Sequence, residues 1–459
     1  MQAFLDSINQ VLSGPIMVIG VILVGIILSF KTGFIQATKL GYTLKHTLGS
    51  MFQKKKKDQR GITPFQAVTT ALSGTIGTGN IVGVATAVSL GGAGAIFWMW
   101  VSAFFGMATK YSEIVLAIKY REKGENQTYL GGPMYYLNQA MHSKLLGNIF
   151  ALLCLASSFG IGNMVQSNAI ADSISSVSNI NTKPIIIVIA ILIGFVIIGG
   201  IKRIAKTTEA LIPAMALFYL VGCFIIIGMN ISSLGDAFLE IIKSAFQLKP
   251  AVGGVAGFTM ARAIRIGFAR GVFTNEAGLG SAPIAHAAAD AKSPAEQGLL
   301  GIFEVFFDTI IMCTLTGLVI VLSGLHLDGK LDGAALTLGA FEKYLGNFAA
   351  IFIAISTVFF AVSSIIGWSY YGETCVNYLF HSKKLVLLYK IAFIIAIYIG
   401  AVTSIDFVWG LSDLLNSLMM VPNLIGVLVL SNIVKKETHV FKVNLSIIKL
   451  RKSHKECVK

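Results

Sequence analysis

Apolar runs of about 20 residues recur along this chain from one end to the other. The hydrocarbon core of a bilayer is about 30 Å thick, and a helix of about 20 apolar residues crosses it. Only 13% of the 459 residues are charged, whereas a water-soluble protein carries about a quarter to solvate its surface. The runs therefore predict an all-α polytopic membrane protein whose main solvent is lipid.

Eleven of these runs are candidate membrane spans. They cover residues 13–31, 64–91, 94–119, 147–176, 184–201, 208–229, 254–290, 298–324, 348–380, 385–403 and 407–432. Residues 1–10 carry Asp6 and no Lys or Arg, so we expect them to be retained rather than removed as a signal peptide.

Basic residues fall in alternate connections between the spans. They are Lys39, Lys45, lysines 54–57 and Arg60; Lys119, Arg121 and Lys123; Lys202, Arg203 and Lys206; Lys383 and Lys384; and the tail 435–459. With eleven spans all of them lie on one side, which the positive-inside rule makes cytoplasmic. We therefore expect the N-terminus outside and the C-terminus in the cytoplasm. These loops account for the net charge of +14 without a nucleic-acid partner.

Two connections have amphipathic spacing, residues 232–248 and 334–345. They are predicted either as surface helices over the extracellular mouth or as ordinary loops.

Two of the spans are interrupted. The second contains Ser-Gly-Thr-Ile-Gly-Thr-Gly-Asn at residues 73–80, and the seventh contains Arg-Gly-Val-Phe-Thr-Asn-Glu-Ala-Gly-Leu-Gly-Ser-Ala-Pro at 270–283. Unwound backbone at membrane depth is tolerated only where it is buried in protein or lines a wet cavity. Breaks at corresponding positions of two halves are typical of the midplane site of a secondary transporter.

Counted from the second span, the breaks fall in the first and sixth of ten helices. Five helices per half force the halves to insert with opposite topology, as in the leucine-transporter fold. We therefore expect four segments. They are 1–63, an extra N-terminal helix and basic loop; 64–229, the first five-helix repeat; 230–432, the second repeat with the surface helices; and 433–459, a basic cytoplasmic tail.

Four motifs in this order resemble the alanine or glycine:cation symporter family of prokaryotes, the sodium:alanine symporters. They are TALSGTIGTGNIVGVATAVSLGG from Thr70, GGPMYYL from Gly131, FARGVFTNEAGLGSAPIAHAAA from Phe268 and GWSYYGE from Gly367. The resemblance covers nearly the whole chain. It implies a leucine-transporter-like core with one extra N-terminal helix in the prokaryotic plasma membrane. It also implies uptake of alanine or glycine with sodium; glutamine, a D-amino acid or another small solute, and proton coupling, are the alternatives.

An amino acid needs donors for its carboxylate and acceptors for its ammonium. Unwound backbone between two half-helices offers both, and the half-helix starting near Ile81 directs its amides at the gap. The predicted substrate-binding residues are Thr75, Gly77, Thr78, Gly79, Asn80, Gln166, Phe273, Thr274 and Trp368. Family resemblance supports Gln166, whereas Asn163 and Asn168 are better explained as interhelical contacts. Phe273 either limits the size of the substrate or fills the core.

Sodium prefers hard oxygen ligands, and unwound carbonyls with hydroxyls provide them. The predicted cation-binding residues are Gly74, Thr75, Gly77, Ser363 and Ser364. An ion between the second span and the ninth span would order the break in the second span and raise the affinity for the amino acid. Serine bonding back to its own helix is the alternative.

Several charged residues lie inside predicted spans, where they are costly unless used or paired. For Glu276 we expect a role in holding the break, with Arg270 as partner, slightly ahead of a role in binding the ammonium. Glu304 and Asp308 are expected either to relay protons or, more readily, to pair with basic residues of the seventh span, Arg262 and Arg265. Lys110 and Glu113 are expected to pair across one helical turn.

The remaining function classes find little support. A channel needs a continuous polar lining, an enzyme needs a nucleophile or metal cluster, and ATP drive needs a P-loop, none of which the sequence contains. Cys154, Cys223, Cys313, Cys375 and Cys457 have no paired spacing. We expect no disulfide, no transition metal, no cofactor beyond co-transported sodium and no obligate protein partner.

Overall fold

The computed structural model describes residues 17–51, 61–124, 128–177, 181–246, 260–403 and 405–457. Residues 1–10, lysines 54–57, Arg60 and the first residues of the spans 13–31 and 254–290 lie outside the described part. Within it the regular elements are helices, one hairpin, in which β1 (Glu122–Lys123) pairs antiparallel with β2 (Tyr129–Leu130), and an isolated bridge between Ile62 and Ala289.

The helices are as follows in chain order. They are α1 Met17–Thr32, α2 Ile35–Thr38, α3 Leu40–Ser50, α4 Pro64–Thr75, α5 Val82–Gly91, α6 Gly94–Lys119, α7 Pro133–Gln139, α8 Lys144–Phe159, α9 Val165–Val177, α10 Thr182–Ile198, α11 Gly200–Met229, α12 Leu234–Ala245, α13 Met260–Asn275, α14 Ala282–Ala287, α15 Pro294–Val305, α16 Thr314–Ser323, α17 Gly333–Leu345, α18 Phe348–Phe380, α19 Lys383–Val402, α20 Ile405–Val429 and α21 Ser431–Cys457.

π-Helical turns join two of these pairs into continuous rods. Gly160–Met164 links α8 to α9, and Phe306–Cys313 links α15 to α16. Such turns replace the regular i→i−4 bonds locally and occur often at functional sites.

Seven described helical segments are long and apolar enough to cross a membrane. They are Gly94–Lys119, Lys144–Val177, Gly200–Met229, Pro294–Ser323, Phe348–Phe380, Lys383–Val402 and Trp409–Val429. Leu192, Phe195 and Leu217 remain 60%, 63% and 63% exposed, as expected where lipid rather than water covers the outer face. The fold is therefore that of an all-α membrane protein.

Each of the eleven predicted spans overlaps one helix or two consecutive helices. Eleven crossings nevertheless remain a prediction, because length and composition alone qualify seven segments. Of the two amphipathic connections, 232–248 contains α12 and 334–345 coincides with α17. The helical alternative is therefore correct over the described residues.

The interrupted helices pack crosswise. The first half of the second span, α4, contacts α14, and its second half, α5, contacts α13. The first half of each broken helix therefore contacts the second half of the other, which is the arrangement expected when the two broken helices run in opposite directions. α6 packs against both α13 and α14, and α18 packs against α4, so the two breaks are enclosed by continuous helices.

Candidate functional site

The first break is an unwound stretch centred on two residues. α4 begins in a capping box between Thr63 and Gln66 and ends at Thr75. Ile76 and Gly77 are extended, and a 3-10 turn, Thr78–Asn80, follows. The amide of Gly77 donates to Oδ1 of Asn80 at 3.0 Å, which satisfies one donor that the unwinding frees.

The second break is a turn of left-handed residues. α13 ends at Asn275, whose Oδ1 accepts from the amide of Ala277 at 3.0 Å. Glu276, Gly278 and Gly280 have φ values of 54°, 93° and 81°. Glycine adopts such values freely, whereas a glutamate does so only where the surrounding structure holds it.

The two breaks face each other across very little space. A Cβ atom on Gly79 would lie 3.1 Å from Cγ2 of Thr274 and 3.6 Å from the ring of Phe273. A Cβ atom on Gly77 would lie 2.7 Å from Oγ of Ser364 and 3.7 Å from Oε1 of Gln166. The glycines therefore bring the main chain of the first break against α13, α18 and α9.

The side-chain amide of Gln166 is hydrogen-bonded through its nitrogen but not through its oxygen. Nε2 donates to the carbonyl of Ile161, in the π-helical turn, at 3.1 Å. Oε1 has no hydrogen-bond partner, although the residue is only 5% exposed. A buried acceptor without a partner costs about 1–3 kcal/mol, so Oε1 beside Gly77 is suited to accept from an ammonium.

An oxygen cluster joins the first break to α18. The hydroxyls of Ser363 and Ser364 lie 3.4 Å and 3.3 Å from the carbonyl oxygen of Ile76. Both also donate to the carbonyl of Phe360, at 2.8 Å and 3.1 Å, so the contact with the break and the bond to their own helix coexist. The carbonyl oxygen of Ile76 and the two serine hydroxyls are three hard oxygens, the kind of ligand that sodium prefers.

The carbonyl that reaches the serines belongs to Ile76, which lies between the predicted cation ligands Thr75 and Gly77. Gly74 instead packs against Tyr371, whose hydroxyl would lie 2.9 Å from an added Cβ atom. Carbonyl direction depends on local ψ, which residue type does not specify.

The side chain of Asn80 is hydrogen-bonded within the protein. Besides accepting from Gly77, it donates from Nδ2 to Oδ1 of Asp308 at 2.6 Å and lies 3.3 Å from Sγ of Cys313. Thr309 donates to Oδ2 of Asp308 at 2.8 Å. These contacts tie the first break to the π-helical turn, and a role for Asn80 in binding the amino acid remains a prediction.

A buried charge cluster supports the end of α4. Oε1 of Glu304 accepts from Nζ of Lys110 at 3.0 Å and from Oγ1 of Thr75 at 2.8 Å, and Oε2 lies 3.2 Å from Nε2 of His286. Nδ1 of His286 contacts Gln297 at 2.9 Å. The cluster therefore joins α4, α6, α14 and α15.

Three predicted ion pairs are wrong. Glu304 pairs with Lys110 rather than with Arg262 or Arg265, because α6 packs directly against α15. For the same reason Lys110 is not the partner of Glu113. Oε1 of Glu113 accepts instead from Asn423 at 2.5 Å.

The contacts of Asp308 and Glu276 also differ from the predicted ones. Asp308 accepts from Asn80 and Thr309, not from an arginine of the seventh span. Glu276 accepts from Nε1 of Trp368 at 3.1 Å and from Oγ of Ser281 at 2.5 Å, not from Arg270. The predicted structural role of Glu276 agrees with these bonds, which pin the second break to α18.

A cavity of about 490 Å³ leads to the first break from one end of the molecule. It starts at Thr78 and passes between α5, α9 and α18 to the exposed start of α17 at Ala334 and Ala335. Arg270 and Trp409 line its wall. We call it the vestibule.

The other ends of the broken helices are joined to each other. The amide of Ile62 donates to the carbonyl of Ala288 at 3.1 Å, and the amide of Asp290 donates to the carbonyl of Ile62 at 2.8 Å. Arg121 donates to the carbonyls of Ala287 and Ala291, at 3.2 Å and 3.3 Å, and also to that of Ala289. Its guanidinium lies 3.8 Å from the centre of the Tyr129 ring. We call this set of contacts the Arg121 clamp.

Over the described ranges no group of three or more His, Cys, Asp and Glu residues could hold a metal ion. Cys154, Cys223, Cys313 and Cys375 are free and buried.

Known proteins resemble this chain in sequence and in fold. Residues 1–455 match the model of the sodium:alanine symporter family. A sodium/alanine symporter of Methanococcus maripaludis is 46% identical, covering 96% of this chain and 97% of that protein. A probable sodium/glutamine symporter of Bacillus subtilis is 36% identical, covering 95% and 90%. The substrate-bound, outward-open structure of a Na⁺-coupled sialic acid symporter aligns with a TM-score of 0.56 at 14% identity, covering 86% of this chain and 87% of that one. At that identity the likeness concerns the fold alone.

Proposed function

We propose that this chain, which belongs to the sodium:alanine symporter family, takes up a small neutral amino acid together with sodium by alternating access. The observation that carries the proposal is the meeting of the two breaks. There a buried acceptor without a partner, Oε1 of Gln166, lies next to the oxygen cluster of Ile76, Ser363 and Ser364. Members of a transporter family are not enzymes, and the proposal needs no chemical step.

The amino acid would lie between the first break and its neighbours. Its carboxylate would meet amides of the unwound stretch and of α5, where a helix N-terminus favours an anion. Its ammonium would donate to Oε1 of Gln166. Phe273 and Thr274 lie against Gly79 and would limit the size of the side chain. Thr75, Gly77, Thr78, Asn80 and Trp368 complete the proposed set.

Sodium would lie between the carbonyl of Ile76 and the hydroxyls of Ser363 and Ser364. Gly74, Thr75 and Gly77 remain candidates for further carbonyl ligands. The ion would fix the ψ angles of the break and thereby the amides that receive the carboxylate. Binding of the two solutes is then cooperative, and the cooperativity is reciprocal.

Alternating access would use the vestibule on one side and the Arg121 clamp on the other. In the described conformation the vestibule reaches Thr78 while the clamp joins the opposite ends of the broken helices. Opening toward the clamp requires those bonds to break. The basic loops favour a cytoplasmic clamp, an extracellular vestibule, an N-terminus outside and a C-terminus inside.

The proposed topology has eleven crossings with two inverted five-helix repeats at 64–229 and 230–432, and the crosswise packing of the broken helices supports the inversion. The segments 1–63 and 433–459 would add one helix and a basic tail.

Glutamine is the second candidate substrate. It is favoured by the 36% identity to a probable sodium/glutamine symporter. A D-amino acid or another small solute, with proton coupling, would use the same pocket.

Uptake into proteoliposomes tests the proposal. Labelled alanine, glycine and glutamine are offered under an inward sodium gradient, an inward proton gradient, or neither. We expect alanine or glycine to accumulate only with the sodium gradient. Accumulation of glutamine alone would favour the second candidate, and accumulation without any gradient would rule out a symporter.

A further inference from the structure

A second cavity lies behind the site described above, on the side of the extra helix α1. It has a volume of about 180 Å³ and is bounded by α1, α13 and α20. Its apolar wall includes Val18, Val21 and Met420, and its polar wall includes Arg270, Asp413 and Asn416. An apolar cavity of about 150 Å³ in a protein accommodates benzene, so the volume is sufficient for a small solute. We call it the side cavity.

The charges in the side cavity are balanced but not joined. Arg270 and Asp413 both line the cavity, yet among the described residues the two groups form no ion pair within 4.0 Å. Arg270 instead lies 5.7 Å from the centre of the Phe273 ring. Two opposite charges held apart at membrane depth are costly unless something polar lies between them.

Asn416 adds a third polar group. It is 6% exposed, and its Oδ1 has no hydrogen-bond partner. One cation, one anion and one amide on the same wall match the two ends of a dipolar solute. A solute with net charge would leave one of the two ionised side chains opposed by a like charge.

We propose that the side cavity is a second binding site for a small zwitterionic amino acid, distinct from the site between the two breaks. The carboxylate of the ligand would pair with Arg270, and its ammonium would pair with Asp413 and Asn416. Its side chain would face Val18, Val21 and Met420. The choice of an amino acid as ligand rests on the proposed function.

The wall of the side cavity is also a wall of the transport route. Arg270 lines both the side cavity and the vestibule. Phe273 lines the side cavity, lies against Gly79 of the first break, and stacks on Trp409 of the vestibule with ring centres 5.8 Å apart. A ligand that engages Arg270 therefore acts on the partition between the two sites.

Equilibrium binding of labelled alanine to the full chain in lipid nanodiscs, with sodium present, tests the proposal by stoichiometry. Two variants disrupt the proposed site in the side cavity. Val21→Phe fills the cavity from α1, and Asn416→Leu removes the side-chain amide from its wall. Gln166→Ala removes the central acceptor, and the alanine concentration is kept below the level at which the weakened central site would refill. The matched control is Ile19→Phe, which adds the same ring to α1 at a position that is 54% exposed.

We expect two alanines per chain in the wild type and in Ile19→Phe, one in Val21→Phe, Asn416→Leu and Gln166→Ala, and none in Val21→Phe combined with Gln166→Ala. One alanine in the wild type, lost in Gln166→Ala and kept in Val21→Phe, would overturn the second site and leave the proposed function intact. Two alanines in both cavity variants would also overturn it. No alanine in the wild type would overturn the proposed function itself.

Discussion

Gly77 and Gly79 allow close packing because they have no side chain. Both lie in the first break, and at each position a Cβ atom would be within 3.1 Å of a side chain on another helix. Their neighbours Ser364 and Thr274 belong to different helices, α18 and α13. At the residue scale the site is therefore built by close approach of main chain to polar side chains.

Gln166→Ala tests the acceptor of that site. We expect alanine to bind more weakly by about 1.5–3 kcal/mol, or roughly 10- to 150-fold, because a charge-assisted hydrogen bond is lost. Labelled-alanine binding to purified protein measures this.

Asn168→Ala is its control on the same helix. Nδ2 of Asn168 donates to the carbonyls of Gly400 and Thr403, at 3.3 Å and 3.0 Å, so the variant should lower the melting temperature and leave alanine affinity unchanged. Equal loss of affinity in both variants would assign Gln166 to packing.

Ser364→Ala tests the oxygen cluster. We expect the sodium concentration for half-maximal alanine binding to rise roughly tenfold, which corresponds to about 1.4 kcal/mol for one lost oxygen ligand. Ser369→Ala is the control, because its hydroxyl donates to the carbonyl of Ile366 in its own helix. An unchanged sodium dependence in Ser364→Ala would place the cation elsewhere.

Each broken helix is one element with two separately held halves. On one side of the breaks, α5 and α13 contact each other and border the vestibule; on the other, α4 and α14 are joined near Ile62 and Ala288. Because the unwound residues lie between the halves, one end can open while the other stays closed. This is the element-scale requirement of alternating access.

Arg121→Ala tests the clamp at that scale. Loss of donors to the carbonyls of Ala287, Ala289 and Ala291 removes bonds that hold the end of α14. We expect alanine uptake to fall roughly tenfold or more, in the range of a coupling of about 1–3 kcal/mol, while binding of alanine persists.

Arg203→Ala is the matched control, since it removes a basic side chain that donates to the carbonyl of Phe195 at an exposed helix end. Its uptake should stay near that of the wild type. Normal uptake in Arg121→Ala would make the clamp a simple helix cap.

At the scale of the whole molecule, buried polar clusters connect helices that are distant in sequence. Glu304 joins α15 to α4, α6 and α14, while Asn423 of α20 bonds Glu113 of α6 and the carbonyl of Gly278 in the second break. Lipid offers no hydrogen bonds to these groups. Their partners must therefore come from the assembled helices.

The pair of Lys110 and Glu304 is a test at this scale. Lys110→Met or Glu304→Gln alone should destabilise the fold by about 3–5 kcal/mol, because each leaves the other group buried without its partner. The double variant should lose less than the sum. Melting of the purified protein in one detergent measures all three.

The exposed pair of Lys119 and Glu437, at 2.5 Å, provides the control, for which we expect about 0–1 kcal/mol. Additive losses at Lys110 and Glu304 would show that the two side chains act independently.

The sequence alone determined the all-α membrane class and the interrupted segments, and it predicted the family, which the family model and the relatives confirm. These follow from composition and local pattern: apolar runs that need lipid, glycine-rich stretches that cannot form an unbroken helix, and motifs in a fixed order. Helix positions within the predicted spans followed for the same reason, whereas for α12 and α17 the sequence left a helix and a loop equally open and the structure decided for the helix.

Only the tertiary structure decided which polar group meets which. Proximity along the chain predicts that Lys110 pairs with Glu113 and that Glu276 pairs with Arg270. The structure pairs Lys110 with Glu304 and Glu276 with Trp368, and it brings the carbonyl of Ile76, not a glycine, to Ser363 and Ser364. Within the bilayer every polar group takes the partner that helix packing provides, and packing is set by contacts that no local pattern records.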